Sequence, residues 1–322
     1  MTDNSLPPSE NPRNWQRRNS LVVPESAWLG RFLNKIFGHV EHFDIAKMGG
    51  LVNSNFRVNC DGRTFFLRIC NGDPASANKE FALREKMPSH LPIAKIIACD
   101  AYLGLPVLLF EWLDGDTLKN RFHQFDKNAS EKVAYALGTL LGEFSKIEYS
   151  CHGFIGASGE IEMEFNMDER NFKEYVSNAV AVVENQIGSR HACRIRDFVH
   201  ENAFLMNSWP QTGHLVHGDF HADNILLNGD FEVTGIVDWE CAMAWQGTHD
   251  IAHLLRRQIP HREFFEQKLV QGYKDHGGWI PDEWERSIRL LQLLGWIDKL
   301  AGGERRPEVI RDANAAIEEV LS

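Results

Sequence analysis

The chain lacks the surplus of positive charge that binding to a phosphate backbone demands: among 322 residues, 34 Lys and Arg face 45 Asp and Glu, a formal net charge of −11. Sequence-independent nucleic-acid binding is thereby excluded as its main task, because each neutralised phosphate needs a cation on one face. Long hydrophobic runs are missing too. The most apolar stretch, Leu103 to Leu113, is broken by Gly104, Pro106 and Glu111, well short of the ~20 residues that cross a bilayer as a helix. The six cysteines (Cys60, Cys70, Cys99, Cys151, Cys193, Cys241) form no Cys-x-x-Cys pair, so they read as reduced, mostly buried thiols rather than zinc or redox ligands. Neither G-x-x-x-x-G-K-[ST] nor G-x-G-x-x-G occurs, which removes the two commonest nucleotide-binding signatures. Residues 1–20 are polar, with Pro7 and Pro8 adjacent and no apolar segment. A flexible arm is expected there rather than a secretory signal, and the cytoplasm is the default compartment.

What remains is an ordinary globular composition, 43 % hydrophobic and 25 % charged, in a chain long enough for two domains at ~150 residues each. From Phe43 to Trp112 the pattern is strand-like. Phe43–Met48, Phe56–Cys60 and Thr64–Cys70 read as a meander whose second turn, Asp61-Gly62, has the residues of a tight hairpin. A helix is expected over Ala75–Met87, then two more strands at Ile93–Cys99 and Pro106–Trp112, the latter ending at Asp114-Gly115. Beyond Asp116 the periodicity becomes helical, as in Ala129–Ile147, where Val133, Leu137, Leu140, Leu141 and Phe144 share a face. Short strands interrupt it only at His214–Val216, Asn224–Leu227 and Glu232–Val237, the last two joined across Asn228-Gly229-Asp230. A small sheet lobe (residues 21–113) ahead of a larger helical lobe (114–322) places a cleft at their junction, where ligands are favoured.

The densest polar cluster is His217-Gly218-Asp219-Phe220-His221-Ala222-Asp223-Asn224, followed by Ile236-Val237-Asp238-Trp239. A loop of that length sets Asp219 and Asn224 at opposite ends of a turn, and the following hairpin returns Asp238 beside them. Phosphoryl transfer uses this set: a carboxylate that accepts the proton of the attacking hydroxyl, and hard oxygen ligands for the Mg²⁺ that bridges nucleotide phosphates. Asp219 suits the first role, Asn224 and Asp238 the second.

HGDFHADN followed by IVDWE resembles the signature of the aminoglycoside phosphotransferase and choline kinase-like superfamily, whose loop reads H-G-D-x-x-x-x-N. The resemblance implies an α+β, bilobal, protein-kinase-like fold: a small antiparallel five-stranded lobe with one helix, which binds nucleotide, and a larger, mainly helical lobe for catalysis and the acceptor. It implies Asp219 as catalytic base, Asn224 and Asp238 as metal ligands, His217 as a residue holding the loop, and Asp250 as a brace behind it. The stretch from Gly49 and Gly50 through Asn53, Ser54 and Asn55 corresponds to the loop that covers the phosphates. Backbone N–H groups and these side chains are expected to cradle phosphate oxygens. Arg68, inward-facing by alternation on its strand, stands where kinases carry a lysine, with Glu80 as its natural partner and Glu85 as the other candidate. Glu111 carbonyl and Leu113 N–H fall at the position of the hinge that binds adenine.

The implied activity is transfer of the γ-phosphoryl group of ATP or GTP, with Mg²⁺, to a hydroxyl of a small molecule. A nucleotide-binding scaffold without turnover and a protein kinase are the alternatives; the missing Arg after His217 and the absence of an A-P-E segment weigh against the second. No nucleic-acid or membrane partner is expected. His249-Asp250, with His217, His221 and His253, also has the look of a metal-dependent phosphohydrolase, though that chemistry needs an all-helical surround. For the acceptor, the acidic run from Glu160 to Glu169 and a cation–π surface on Trp239 and Trp245 favour a cation. The basic cluster Arg256, Arg257, His261 and Arg262 favours a carboxylate or phosphate.

Overall fold

The computed structural model describes residues 19–256 and 258–322. Most of the expected arm, and Arg257, lie outside the described residues. Helix α1 (Ser26–Phe37) precedes strands β1 (Phe43–Lys47), β2 (Ser54–Cys60) and β3 (Arg63–Ile69). Asp61 (φ 45°) and Gly62 (φ 79°) form the expected two-residue turn and set Cys60 opposite Arg63. Helix α2 (Ala75–Lys86) intervenes before β4 (Ile96–Tyr102) and β5 (Leu105–Glu111) complete an antiparallel sheet of order β1-β2-β3-β5-β4.

Two features of this lobe differ from expectation. Strand β4 runs past Cys99 to Tyr102 because the chain reverses at Leu103-Gly104, where Leu103 takes φ 53° and points to solvent. Leucine carries no turn signal, so it is Gly104, with φ 80°, that marks the reversal in the sequence. Helix α1, which the sequence reading does not anticipate, lays Leu29, Phe32 and Leu33 on Phe56, Val58, Leu67 and Leu109. Each such burial stabilises by roughly 2 kcal/mol, and the first lobe thereby gains a core of its own.

After β5 the chain enters β6 (Asp116–Thr117), α3 (Leu118–Arg121) and α4 (Lys127–Ser145), then β7 (Glu148–Tyr149), β8 (Gly153–Ile155) and β9 (Ile161–Glu164). Helices α5 (Glu169–Ile187) and α6 (Ser189–Asn202) lead to β10 (Gly213–Val216), β11 (Ile225–Leu227), β12 (Val233–Ile236) and β13 (Met243–Trp245). Helices α7 (Thr248–Leu255), α8 (Arg262–Asp275), α9 (Trp284–Ala301) and α10 (Pro307–Leu321) finish the fold. Asp126 and Asp168 start α4 and α5 by accepting the backbone N–H of Ala129 and Asn171, each at 2.8 Å. The core face of α4 is as expected except for Leu140, which is half-buried.

Two small sheets of this lobe frame one loop. Strand β10 belongs to the order β7-β10-β13-β8-β9, and β11 to β12-β11-β6. Residues 217–224 therefore leave the end of one sheet and enter the other, and β12 delivers residue 238 beside them.

Candidate active site

His217 and Gly218, at the exit of β10, are fixed from behind. Asp250, buried on α7, accepts the backbone N–H of His217 at 2.6 Å and that of Gly218 at 3.0 Å. The His217 ring, fully buried against Trp239, donates from Nε2 to the Val237 carbonyl at 3.0 Å, which leaves Nδ1 to accept the Asp219 N–H at 3.3 Å. Burial pushes its pKa down, more than the nearby carboxylates pull it up, so the ring is neutral and suits that pattern. Gly218 has φ 79°, and a Cβ there would sit 2.1 Å from the Cys241 carbonyl oxygen, so the loop needs glycine at this point.

Asp219 is held by the loop and flanked by imidazoles. His221 Nε2 lies 3.3 Å from Oδ2 and His253 Nδ1 lies 3.8 Å from Oδ1. Burial alone would raise the Asp219 pKa, but His221, His253 and Lys299 outweigh it and hold the carboxyl well below its ordinary range. Asn224 donates from Nδ2 to the Asp219 carbonyl at 3.0 Å, and its own carbonyl accepts the Val237 N–H at 3.0 Å, which ties the loop to the residue preceding Asp238. Asp238 itself takes the left-handed conformation, φ 74° and ψ 62°.

The facing lobe supplies the cation. Arg68, buried on β3, places Nη1 2.5 Å from Glu80 Oε1 and 3.1 Å from Asp238 Oδ1. Glu80 on α2 is thus the partner, as expected, and Glu85 is not. Burial alone would lower the guanidinium's pKa; Glu80, Asp238 and Glu240 together raise it, and Arg68 stays charged. Glu240, two residues beyond Asp238, escaped the sequence reading. Its carboxylate accepts Asn53 Nδ2 at 2.7 Å and joins Glu80 and Asp238 in a group whose oxygens lie within 4.8 Å of one another, the one such cluster of potential metal ligands among the described residues. Burial, then Asp238 and, more weakly, Asp219 raise the Glu240 pKa, and burial against the pull of Arg68 pushes Glu80 up to about 7. Crowded carboxylates with raised pKa values, together with Asp238 Oδ1, which is buried without an aligned hydrogen bond, are a donor set that a hard divalent cation would relieve. The signal for Glu240 was its place in Asp-x-Glu at the exit of a strand.

Several expected residues turn elsewhere. The side chains of Asn53, Ser54 and Asn55 are bonded to other parts of the chain. Asn53 Oδ1 accepts the Asn71 N–H at 3.1 Å, Ser54 Oγ accepts the Val22 N–H at 2.9 Å, and Asn55 Nδ2 donates to the Gly49 carbonyl at 3.0 Å. Glu111 pairs with Lys95 through both its N–H and its Oε1, each at 2.9 Å, while Leu113 packs on Gly235 of β12, so the hinge is anchored to both lobes. Trp239 and Trp245 are core, packed on Phe144 and on Trp209 and Phe165, and offer no cation–π surface. Part of the acidic run is engaged locally: Glu160 pairs with Lys86, Asp168 caps α5 and Glu169 pairs with Lys173, while Glu162 and Glu164 are exposed. Arg256 and Arg262 do not form one patch, since Arg256 lies buried over Trp296 while Arg262 reaches Glu266 and Glu319. The phosphohydrolase reading fails because Asp250 is committed to backbone N–H groups and His217 to Val237.

Comparison with known proteins bears on the fold and the family. The phosphotransferase enzyme family, APH, matches residues 48–286. Uncharacterized protein YcbJ of Bacillus subtilis (strain 168) is 25 % identical over 155 residues, 46 % of this chain and 47 % of that protein, so the match spans about half of the relative's length. Among solved structures, a thermostable mutant of aminoglycoside phosphotransferase APH(4)-Ia superimposes with a TM-score of 0.67 at 18 % identity, over 90 % of this chain and 97 % of that one. The streptomycin–ATP–APH(2")-IIa ternary complex gives 0.63 at 19 %, over 92 % and 97 %. A putative aminoglycoside phosphotransferase from Ralstonia eutropha JMP134 gives 0.63 at 14 %, over 92 % and 97 %. These likenesses establish a shared bilobal kinase-like fold, and the family match over most of the sequence establishes descent: the chain belongs to the phosphotransferase enzyme family.

Proposed function

We propose that the protein transfers the γ-phosphoryl group of ATP to a hydroxyl of a small molecule. One observation carries the reading: an ionised Asp219 at the end of a rigidly braced loop, next to carboxylates from both lobes gathered around Arg68. Solved relatives of the same fold hold AMP-PNP with hygromycin B and ATP with streptomycin, which supports a nucleotide and a small acceptor here.

In this reading residues 21–113 hold the nucleotide. Arg68, oriented by Glu80, grips its phosphates; the backbone of residues 49–52 covers them, since the neighbouring side chains are committed elsewhere; and Glu111 carbonyl with Leu113 N–H meets the adenine edge. Asn224, Asp238 and Glu240 are the ligands for Mg²⁺, which would neutralise charge developing on the β- and γ-phosphates. Asp219 orients the acceptor hydroxyl and takes its proton as the O–P bond forms. Its depressed pKa makes it a weak base, which fits a loose transition state in which positioning outweighs proton abstraction. ATP is preferred over GTP here by analogy with those complexes.

The test is Asp219→Asn with an acceptor in hand or, failing one, by acceptor-free ATP hydrolysis. Turnover should fall at least ~10³-fold while Mg²⁺-dependent nucleotide binding survives. Undiminished turnover would refute the assignment.

A further inference from the structure

A column of rings runs through the helical lobe and ends at Asp219. Trp209 packs on Trp245, Trp245 on His249 and His249 on His253, with centres 5.8, 5.0 and 4.4 Å apart. Both imidazoles belong to α7, one turn apart, and are more than nine-tenths buried. One edge of His253 is confined as well. A Cβ on Gly295 of α9 would come 3.2 Å from its Nε2, so glycine there lets the helix close against the ring. Stacked on one face and pressed at one edge, the ring has little freedom to turn.

The fold accounts for every part of this side chain except its other nitrogen. His253 Nδ1 is closed to solvent, has no hydrogen-bond partner among the described residues, and faces Asp219 Oδ1 at 3.8 Å. A buried polar atom in that state is costly to keep. Burial, then Arg256, His249 and, last, His221 push the His253 pKa well below its usual range, against the pull of Asp219. The neutral ring carries a single proton. Opposite an ionised carboxyl that proton belongs on Nδ1, since a lone pair there would repel the oxygen. Asp219, whose side chain is 35 % exposed, is the partner with room to move, and a small rotation of its carboxyl closes the gap.

The second oxygen of Asp219 has a similar neighbour. His221 Nδ1 accepts the Asp223 N–H at 3.2 Å, which leaves its hydrogen on Nε2, 3.3 Å from Asp219 Oδ2. One imidazole from the loop and one from α7 thus attend the two oxygens.

We propose that His253 is a positioning residue: its Nδ1–H takes Asp219 Oδ1 when the acceptor binds and locks the carboxyl in the orientation that aligns the acceptor hydroxyl. The proposal rests on the phosphotransferase reading above and deepens it. His253 acts through Asp219 and transfers no group itself.

Three variants of the full chain are compared with the wild type under Mg·ATP, by ADP release with an acceptor in hand or by acceptor-free hydrolysis, at a temperature where each is folded. His253→Asn keeps a donor at the place of Nδ1, His253→Gln at the place of Nε2, and His253→Leu keeps neither. Leucine and glutamine should lower kcat ~10²-fold with KM for ATP within ~3-fold of wild type, and asparagine should recover to within ~10-fold of wild-type kcat. A packing role alone would favour leucine, the apolar filler, over asparagine. Should the variants fail to fold, nitrogen NMR of histidine-labelled wild type gives the answer. Asp219→Asn should shift two histidine signals, one of the Nε2–H form, from His221, and one of the Nδ1–H form, from His253. Wild-type turnover with kcat undiminished in His253→Leu, asparagine no better than leucine, or only Nε2–H signals responding overturns the inference and spares the proposed function. A wild type with neither hydrolysis nor transfer removes both.

Discussion

Replacing Asp250 by asparagine probes the brace on which the site's geometry depends. The Asp250 carboxylate is 1 % exposed and accepts two backbone N–H groups, at 2.6 and 3.0 Å, from the two residues that immediately precede Asp219. Asparagine is nearly isosteric but has one acceptor oxygen, so its amide NH₂ must turn toward one of those N–H groups. One buried donor then goes unsatisfied, at about 1–3 kcal/mol, and the surviving bond loses its charge assistance, about 1 kcal/mol more. The expected loss is roughly 2–4 kcal/mol of stability, read as a shift in the urea midpoint at unchanged slope. Turnover should fall further than stability alone requires. A displacement of Asp219 by about 1 Å costs on the order of 10²-fold in rate, since the base must meet the hydroxyl in line with the phosphorus. The assay pairs urea denaturation with ADP release at a temperature where the variant is fully folded. A stability loss under ~1 kcal/mol together with wild-type turnover would refute the argument that Asp250 sets the loop.

Two further outcomes are expected. Glu240→Gln removes a carboxylate from the cluster with Glu80 and Asp238 while keeping an acceptor for Asn53, so calorimetry should show nucleotide affinity falling ~10-fold with Mg²⁺ and little changed without it; equal affinity with Mg²⁺ would remove Glu240 from the metal site. Asp298→Asn should alter how stability depends on pH. Burial raises the native Asp298 pKa to about 6 from 3.8, so in that window the folded chain keeps a proton that the unfolded chain has released, and wild-type stability falls as pH rises through 6. The variant has no such proton. It should gain on wild type by roughly 1 kcal/mol between about pH 5 and 7.5, after allowance for the partly exposed carboxyl. A constant difference across that range would count against a perturbed Asp298.

What could be read from the sequence separates from what could not by the range over which the determining contacts act. The Asp61-Gly62 hairpin, the alternation that turns Arg68 inward and the compact His217–Asn224 loop are specified by residues within a few positions of one another, and each forms as expected. Glu80 lies only 12 residues from Arg68, one strand end and one helix turn away. The polar side chains beside the first turn behave differently. Asn53 meets Glu240 across 187 residues, and Ser54 meets Val22 across 32. An amide or hydroxyl satisfies a phosphate, a carboxylate or a backbone N–H with similar energy, so its composition does not say which it will meet; the tertiary fold chooses. Tryptophan is ambiguous in the same way, as Trp239 and Trp245 serve the core rather than a ligand. Glu240 is the instructive case. No periodicity marks it, yet the strand that delivers Asp238 delivers it too, and in that company a third carboxylate is costly to fold around unless a cation arrives with the substrate. Its burial beside Asp238 is therefore better explained by what the site binds than by any gain in stability.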